Sequence, residues 1–528
     1  VTAARLSRLH AWAWGVIGTA FMALAMAPIA IVPLFGDDFE IAALHDLEYH
    51  GSLLNVMAQG WWGDLQSNRF NPVGREFSLG YHVFAREAGA ITGADPQTFY
   101  RLGTWALGCA SALAAAFTLV HAARFVSARN ALALAPTYAA ICAAVAVTLH
   151  LHFLSHDPTL TIAEIGYGVV VLSLWLIGLG FRALRPNVPL GRAVWPFAVL
   201  SMAGTLFYET FVTAVAAMAL VFVVVLGRER RWRLLGWLLG AGALLPAAVF
   251  LAGRWWVNTY ATDVAQYSGT ELQLSAGAAR TFALYTAGTV PGASWRHAAA
   301  VTGGPMFVAP AMITATLTAA LLIATLVLLR RWRSLPRLVP SRRLWLVLAV
   351  LAIHVAGTYG AQSASPKYIT TIYHLGVVYL GYATGVLVAA MLAVGALLFL
   401  PRRIARVTAV VLVVIAIPFT YVQHALNWAV ATEIAGLVTP NDRITTELSR
   451  GALAEPERCE LLHQWVGRDS YFGTAPDLMA TIFESLDARY ETHHGEPFCA
   501  SDAPEIPLEE RPSVTSPAAG PAPEAPQP

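Results

Sequence analysis

From about residue 11 to about residue 425 long apolar runs recur along the chain, separated by polar segments, and they carry more apolar surface than one soluble core could bury. A helix needs roughly 20 predominantly apolar residues to cross the hydrocarbon core of a bilayer. About eleven runs meet or approach that length, at residues 11–34, 104–122, 131–153, 161–181, 193–207, 210–227, 234–253, 305–329, 344–361, 372–397 and 407–425. The fifth is the shortest. The pattern predicts an all-α polytopic membrane protein with a transmembrane domain over residues 1–425. The first run could also be read as a cleaved leader, with Arg5 and Arg8 before it and Ala25-Met26-Ala27 as a small-residue cleavage site. Its continuation to Leu34 and the position of Pro28 favour a span.

Arginine sets the expected orientation, because short cytoplasmic loops carry the excess of basic residues. Arg5 and Arg8, Arg124 and Arg129, Arg182 to Arg192, Arg228 to Arg233, Arg330 to Arg343 and Arg402 to Arg406 fall in every second connection. This predicts an N-terminus inside and a C-terminus outside. Composition agrees with the membrane reading: of 528 residues 57% are hydrophobic and 12% charged, and the mean hydropathy is +0.57. A net charge of +2 with no basic, aromatic-interleaved patch gives no reason to expect a nucleic-acid partner. Cys109 and Cys142 fall in predicted spans, whereas Cys459 and Cys499 fall in the outward C-terminal segment, where a disulfide between them is expected. It would staple a small external domain over residues 426–500, and the Pro- and Ala-rich residues 501–528 read as a disordered tail.

Candidate chemistry gathers on the outward side. The long loop 36–103 opens Gly36-Asp37-Asp38-Phe39-Glu40 at the end of the first span and continues through Trp61-Trp62-Gly63-Asp64 to Ser67-Asn68-Arg69-Phe70-Asn71-Pro72-Val73-Gly74-Arg75. Two carboxylates at the membrane boundary suit work on a hydroxyl, one accepting its proton while the other orients it. Asp37 and Asp38 could equally cap an amphipathic helix carrying Ile41, Leu44, Leu47 and Leu54.

Many spans, an acidic pair in the first external loop, amphipathic helices in that loop and an external C-terminal domain together make the chain resemble the GT-C superfamily of membrane glycosyltransferases, such as protein O-mannosyltransferases and arabinofuranosyltransferases. The resemblance implies transfer of a sugar from a polyprenyl-phosphate donor to a glycan, lipid or protein acceptor of the cell envelope, at the outer, periplasmic face of a bacterial plasma membrane. It matches Asp37 or Asp38 to the family's catalytic base. Such a donor needs positive charge for its phosphate. Lys367, the one lysine among 34 Lys and Arg residues, lies in an outward loop beside Tyr368 and serine hydroxyls, and Arg69 and Arg75 are further candidates. Tyr208 and Glu209, at a tight outward turn, are expected to line the site for the acceptor. His156 and Asp157 in the loop after the third span, with Glu164 one turn into the fourth, are expected there too. His152 and His156 could bind a metal with Asp157 if the segment were helical, but Pro158 argues against that helix. No cofactor is required by the sequence, and a divalent cation is left open.

The chain has no Gly-x-x-x-x-Gly-Lys-Ser/Thr loop, Cys-x-x-Cys pair, His-Glu-x-x-His or Gly-x-Ser-x-Gly motif. The alternatives are a glycan polymerase or ligase using a pyrophosphate-linked donor, a membrane transporter, and a non-enzymatic envelope scaffold.

Overall fold

Pro28 decides where the first helix stops. Helix α1 (Thr2–Met26) ends just before it, and the chain passes through one tight turn, Ala27–Ile31, into extended backbone that delivers Asp38 beyond the helix end. The computed structural model describes residues 2–36, 38–39, 70–127, 132–152, 157–260, 272–290, 292–331, 338–339, 341–366, 369, 381–469, 483–484, 486–491 and 494–500. Among these there is no strand. The elements in order are α2 (Pro72–Thr92), α3 (Pro96–Val126), α4 (Leu134–Thr148), α5 (Ala163–Ala183), α6 (Leu190–Thr205), α7 (Val212–Arg228), α8 (Trp232–Leu239) and α9 (Leu245–Tyr260). There follow α10 (Ala276–Gly288), α11 (Trp295–Thr302), α12 (Ala309–Arg331), α13 (Arg342–Ser363), α14 (Tyr382–Phe399), α15 (Arg402–Leu437), α16 (Thr439–Arg450) and α17 (Glu455–Asp469).

Nine helical segments among the described residues are long and apolar enough to cross a membrane, which makes the chain a multi-pass membrane protein by length and composition. Two of the eleven expected runs are shorter helices, α4 with 15 residues and α6 with 16. At 1.5 Å per residue each reaches only about 24 Å or less, below the ~30 Å hydrocarbon thickness. The reason for α4 is local: Leu149 turns extended so that the following residues can enter a polar network. In the tenth run the described helix begins at Tyr382.

Small residues let the central helices close. A Cβ on Gly178 of α5 would come within 2.5 Å of the Phe117 ring of α3, and one on Gly108 would meet the Met26 methyl at the same distance. Close approach of this kind replaces the hydrophobic driving force that helices lack inside lipid. Helix α2 has a different character. Ser78, Leu79, His82 and Val83 are buried, at helical spacing, whereas Phe77, Phe84 and Ile91 are exposed on the other side. Its start is clamped onto the turn after α6, where Val73 N donates to Leu206 O at 3.0 Å.

Charge divides the two ends of the bundle. Arg343 donates to Phe125 O and lies 3.3 Å from Glu229, while Arg231 donates to Leu184 O, so the ends of α3, α5 and α7 and the start of α13 meet at an arginine-rich face. The opposite end holds Asp38, His82 and Glu164.

Helix α15 has 36 residues and, at about 54 Å, outruns a bilayer core by about 24 Å. It leads into α16 and α17, whose apolar faces form a second core with Phe483, Leu486, Tyr490 and Phe498. Cys459 and Cys499 are bonded there, 40 residues apart in sequence. Arg458 is buried inside this unit, donating to Phe498 O at 2.8 Å and to the Tyr490 hydroxyl at 3.1 Å. Opening the disulfide by Cys459→Ser should lower the stability of this unit by about 2–4 kcal/mol, the usual cost for a loop of this length. Limited proteolysis of the purified protein should then cut within residues 439–500 faster than in the parent.

Candidate active site

Three segments far apart in sequence converge at the acidic end. Asp38 follows the first helix, His82 lies midway along α2, and Glu164 stands in the first turn of α5; Asp38 and Glu164 are wholly buried and His82 nearly so. His82 Nε2 lies 3.7 Å from Asp38 Oδ1 and 3.9 Å from Glu164 Oε1.

Each carboxylate is held by donors that fix its direction. Asp38 Oδ1 accepts from the Ile162 backbone N–H at 2.9 Å. Ile162 sits in the left-handed region at φ 44°, a conformation that costs a β-branched residue about 1–3 kcal/mol and persists only where the surroundings enforce it. Here the strained turn aims the N–H at Asp38 and starts α5 so that Glu164 follows two residues later. Glu164 Oε1 accepts from Ser78 Oγ at 2.7 Å, and Oε2 from the Tyr100 hydroxyl at 3.0 Å. Tyr100 packs edge-on against Tyr81, whose hydroxyl donates to Tyr100 O at 2.6 Å.

Among the described residues, Arg101 is the positive charge that acts on Asp38. It is buried, and its guanidinium donates to the carbonyls of Val32, Pro33 and Leu160. It therefore ties the backbone after α1 to the loop before α5 and acts on Asp38 through its field. Burial, and then the negative charge of Glu164, push Asp38 well above the usual carboxylate range, against the opposing effects of Arg101 and the nearby Tyr100 hydroxyl. A raised acid pKa means that the folded chain keeps a proton which the unfolded chain releases, so this contribution to stability is full at low pH and is lost as pH climbs from the ordinary aspartate value through the raised one. The thermal stability of the parent relative to Asp38→Asn, followed in chelator-containing buffer, should fall with pH across that window. A difference that stays constant with pH would show that Asp38 carries an ordinary pKa.

The other expected residues separate into three groups. Glu209 lies 3.6 Å from Arg254 of α9, with Tyr208 half-buried beside it, near the start of α2, where Arg75 also lies half-buried. Asp157 is spent on loop closure: its Oδ2 accepts from His152 N at 2.7 Å and lies 3.1 Å from His152 Nδ1, and its Oδ1 accepts from Thr159 N at 2.7 Å. Beside it, His150 contacts the Tyr382 hydroxyl at 2.9 Å, and Asn427 of α15 bridges Leu151 N and Leu149 O. Asp37, Arg69, His156, Lys367 and Tyr368 fall outside the described residues.

Sequence reasoning missed His82, Ser78, Tyr100 and Arg101. Ser78 and His82 carried a usable signal, being polar residues four apart on an otherwise amphipathic helix. Tyr100 and Arg101 gave less, since they stand just before an apolar run and read as loop.

The site is roofed by the C-terminal unit. Phe39, next to Asp38, packs on Trp465 with ring centroids 5.5 Å apart, and Tyr100 belongs to the same apolar cluster as Leu448, Leu462 and Phe498. Beneath this roof a cavity of about 50 Å³ is lined by His82, Tyr100, Gln97, Arg86, Thr445 and Arg489, among others. The arrangement can hold a reacting hydroxyl or a cation against two carboxylates in a place largely shielded from water.

Compared with protein-family models, with curated proteins and with solved structures, the chain finds no match in any of the three.

Proposed function

We propose that the protein is a membrane glycosyltransferase that moves a sugar from a polyprenyl-phosphate donor to a cell-envelope acceptor. The reading is carried by one observation: an aspartate just beyond the first membrane helix is buried against a second carboxylate and a histidine, at the end of the bundle opposite the arginine-rich face. Under the rule that basic residues stay inside, that end faces outward, toward the periplasm of a bacterial inner membrane.

In this reading Asp38 takes the proton of the acceptor hydroxyl, whose oxygen attacks the anomeric carbon as the lipid phosphate departs. Glu164, fixed by Ser78 and Tyr100, helps to orient the hydroxyl. Arg75, together with Arg69, Lys367 and Tyr368, is assigned to the donor phosphate, and Tyr208 and Glu209 to the acceptor. Incubating the purified protein with radiolabelled polyprenyl-phosphate sugars and membrane glycan extracts should transfer label from lipid to acceptor. If only pyrophosphate-linked donors give product, the enzyme is instead a glycan polymerase or ligase.

A transporter reading draws on the histidines buried within the spans. His354 Nδ1 lies 2.8 Å from Thr213 Oγ1, and His424 contacts Thr318. Reconstituted vesicles that accumulate substrate without forming any glycosidic product would favour it.

A further inference from the structure

Two buried carboxylates and an imidazole converge in this cluster. Coordination to a metal is one of the arrangements that hold carboxylates away from water. Arg101 is near, but every hydrogen bond of its guanidinium goes to a backbone carbonyl. Asp38 Oδ2 is buried and accepts no hydrogen bond among the described residues. The Tyr100 hydroxyl has a single proton and directs it to Glu164.

We propose that Asp38, His82 and Glu164 are the protein ligands of one divalent transition-metal cation of the zinc class. One ligand atom from each lies within 4.8 Å of the others. Tetrahedral coordination at 2.0–2.2 Å separates neighbouring ligand atoms by about 3.3–3.6 Å. The observed 3.7 and 3.9 Å from His82 Nε2 to the carboxylates therefore need to contract by only a few tenths of an ångström. An imidazole beside two carboxylates favours zinc or a similar first-row ion over magnesium or calcium, which prefer oxygen alone. Three protein ligands leave a fourth position open, as at zinc sites that bind an exchangeable molecule.

The surrounding groups have the character of an outer shell. Ser78 and Tyr100 hold both oxygens of Glu164, and the strained Ile162 N–H holds one oxygen of Asp38, so the ligands are aimed before any ion arrives. A small cavity of about 50 Å³ reaches the His82 side of the cluster, lined by His82 and Tyr100 and by neither carboxylate. The proposal rests on the glycosyltransferase reading only for what the cation does: there it would act as a Lewis acid on the acceptor oxygen, and Asp38 would take the hydroxyl proton on the carboxylate oxygen that does not bind the metal.

The test is made on the full chain in detergent. After chelator treatment and dialysis, calorimetry with Zn²⁺ should give about one site per chain, and Co²⁺ should produce visible d–d bands of a nitrogen- and oxygen-ligated ion. His82→Ala and Glu164→Gln should weaken binding by more than about 100-fold, because loss of an outer-shell partner alone costs about 10–100-fold. Tyr100→Phe should fall in that smaller range, and His121→Ala, near the arginine-rich end, should bind like the parent. A parent chain that takes up neither Zn²⁺ nor Co²⁺ overturns the proposal, as does binding that survives both ligand substitutions. Should a variant fail to fold, uptake by the parent alone decides the matter. Metal binding without sugar transfer would remove the glycosyltransferase reading alone, and transfer by a chain that binds no metal would remove this proposal alone.

Discussion

Asp38→Asn should abolish sugar transfer while the protein still folds and inserts. Asparagine has nearly the volume of aspartate and its side-chain oxygen can still accept the Ile162 N–H, so the turn before α5 keeps its support. What it loses is the ability to accept a proton, together with a carboxylate ligand of the proposed cation, and removal of a positioned general base alone typically costs 10²–10⁴-fold in rate. Initial rates of label transfer, normalised to protein that elutes as a single species from a sizing column, measure the effect. Asp37→Asn is the matched control and should keep most of the activity. A substituted Asp38 with parental turnover would place the base elsewhere.

Arg101→Ala should have the largest effect on stability of any substitution near the site. The guanidinium lies between the end of α1 and the loop before α5, and its removal would strand the carbonyls of Val32, Pro33 and Leu160 and take away a positive charge that acts on Asp38. Breaking a buried charged network from one side costs about 3–5 kcal/mol. The expected result is a drop in thermal stability in detergent together with loss of transfer. Arg101→Lys should recover only part of it, because an ammonium on a flexible stem cannot reproduce a planar fork of donors to three carbonyls. An Arg101→Ala chain as stable as the parent would mean that water satisfies those carbonyls.

Much of the membrane architecture could be read from hydrophobic run length, because a bilayer imposes one length on every spanning helix. All eleven runs correspond to helices, the seventh to α8 and α9 joined without a break through Gly240–Leu244, and only two, α4 and α6, fall below spanning length. The pairing of Cys459 with Cys499 was legible for a similar reason, since only those two cysteines lie beyond the apolar runs. Asp38 and Glu164 were both recognisable as unusual charges at helix ends. That they meet was not, because 126 positions separate them in the chain and no local pattern encodes the closure. His82 joins them only because α2 turns its Ser78 and His82 face inward. Arg101 was obscured by its role: a buried arginine that serves backbone carbonyls looks, in sequence, like an ordinary charge at the start of a helix.

The packing of Phe39 and Tyr100 against residues near the other end of the chain also sets an order of events during synthesis. Asp38, His82 and Glu164 are made early, but the helices that roof them begin only at Thr439. At 5–20 residues per second the ribosome takes about 15–55 s to travel from one to the other. Throughout that interval the nascent chain lacks the helices that cover its acidic cluster, and the Cys459–Cys499 bond lies inside the unit that arrives last. The site is therefore completed by the end of the chain, after every membrane-crossing helix has been made.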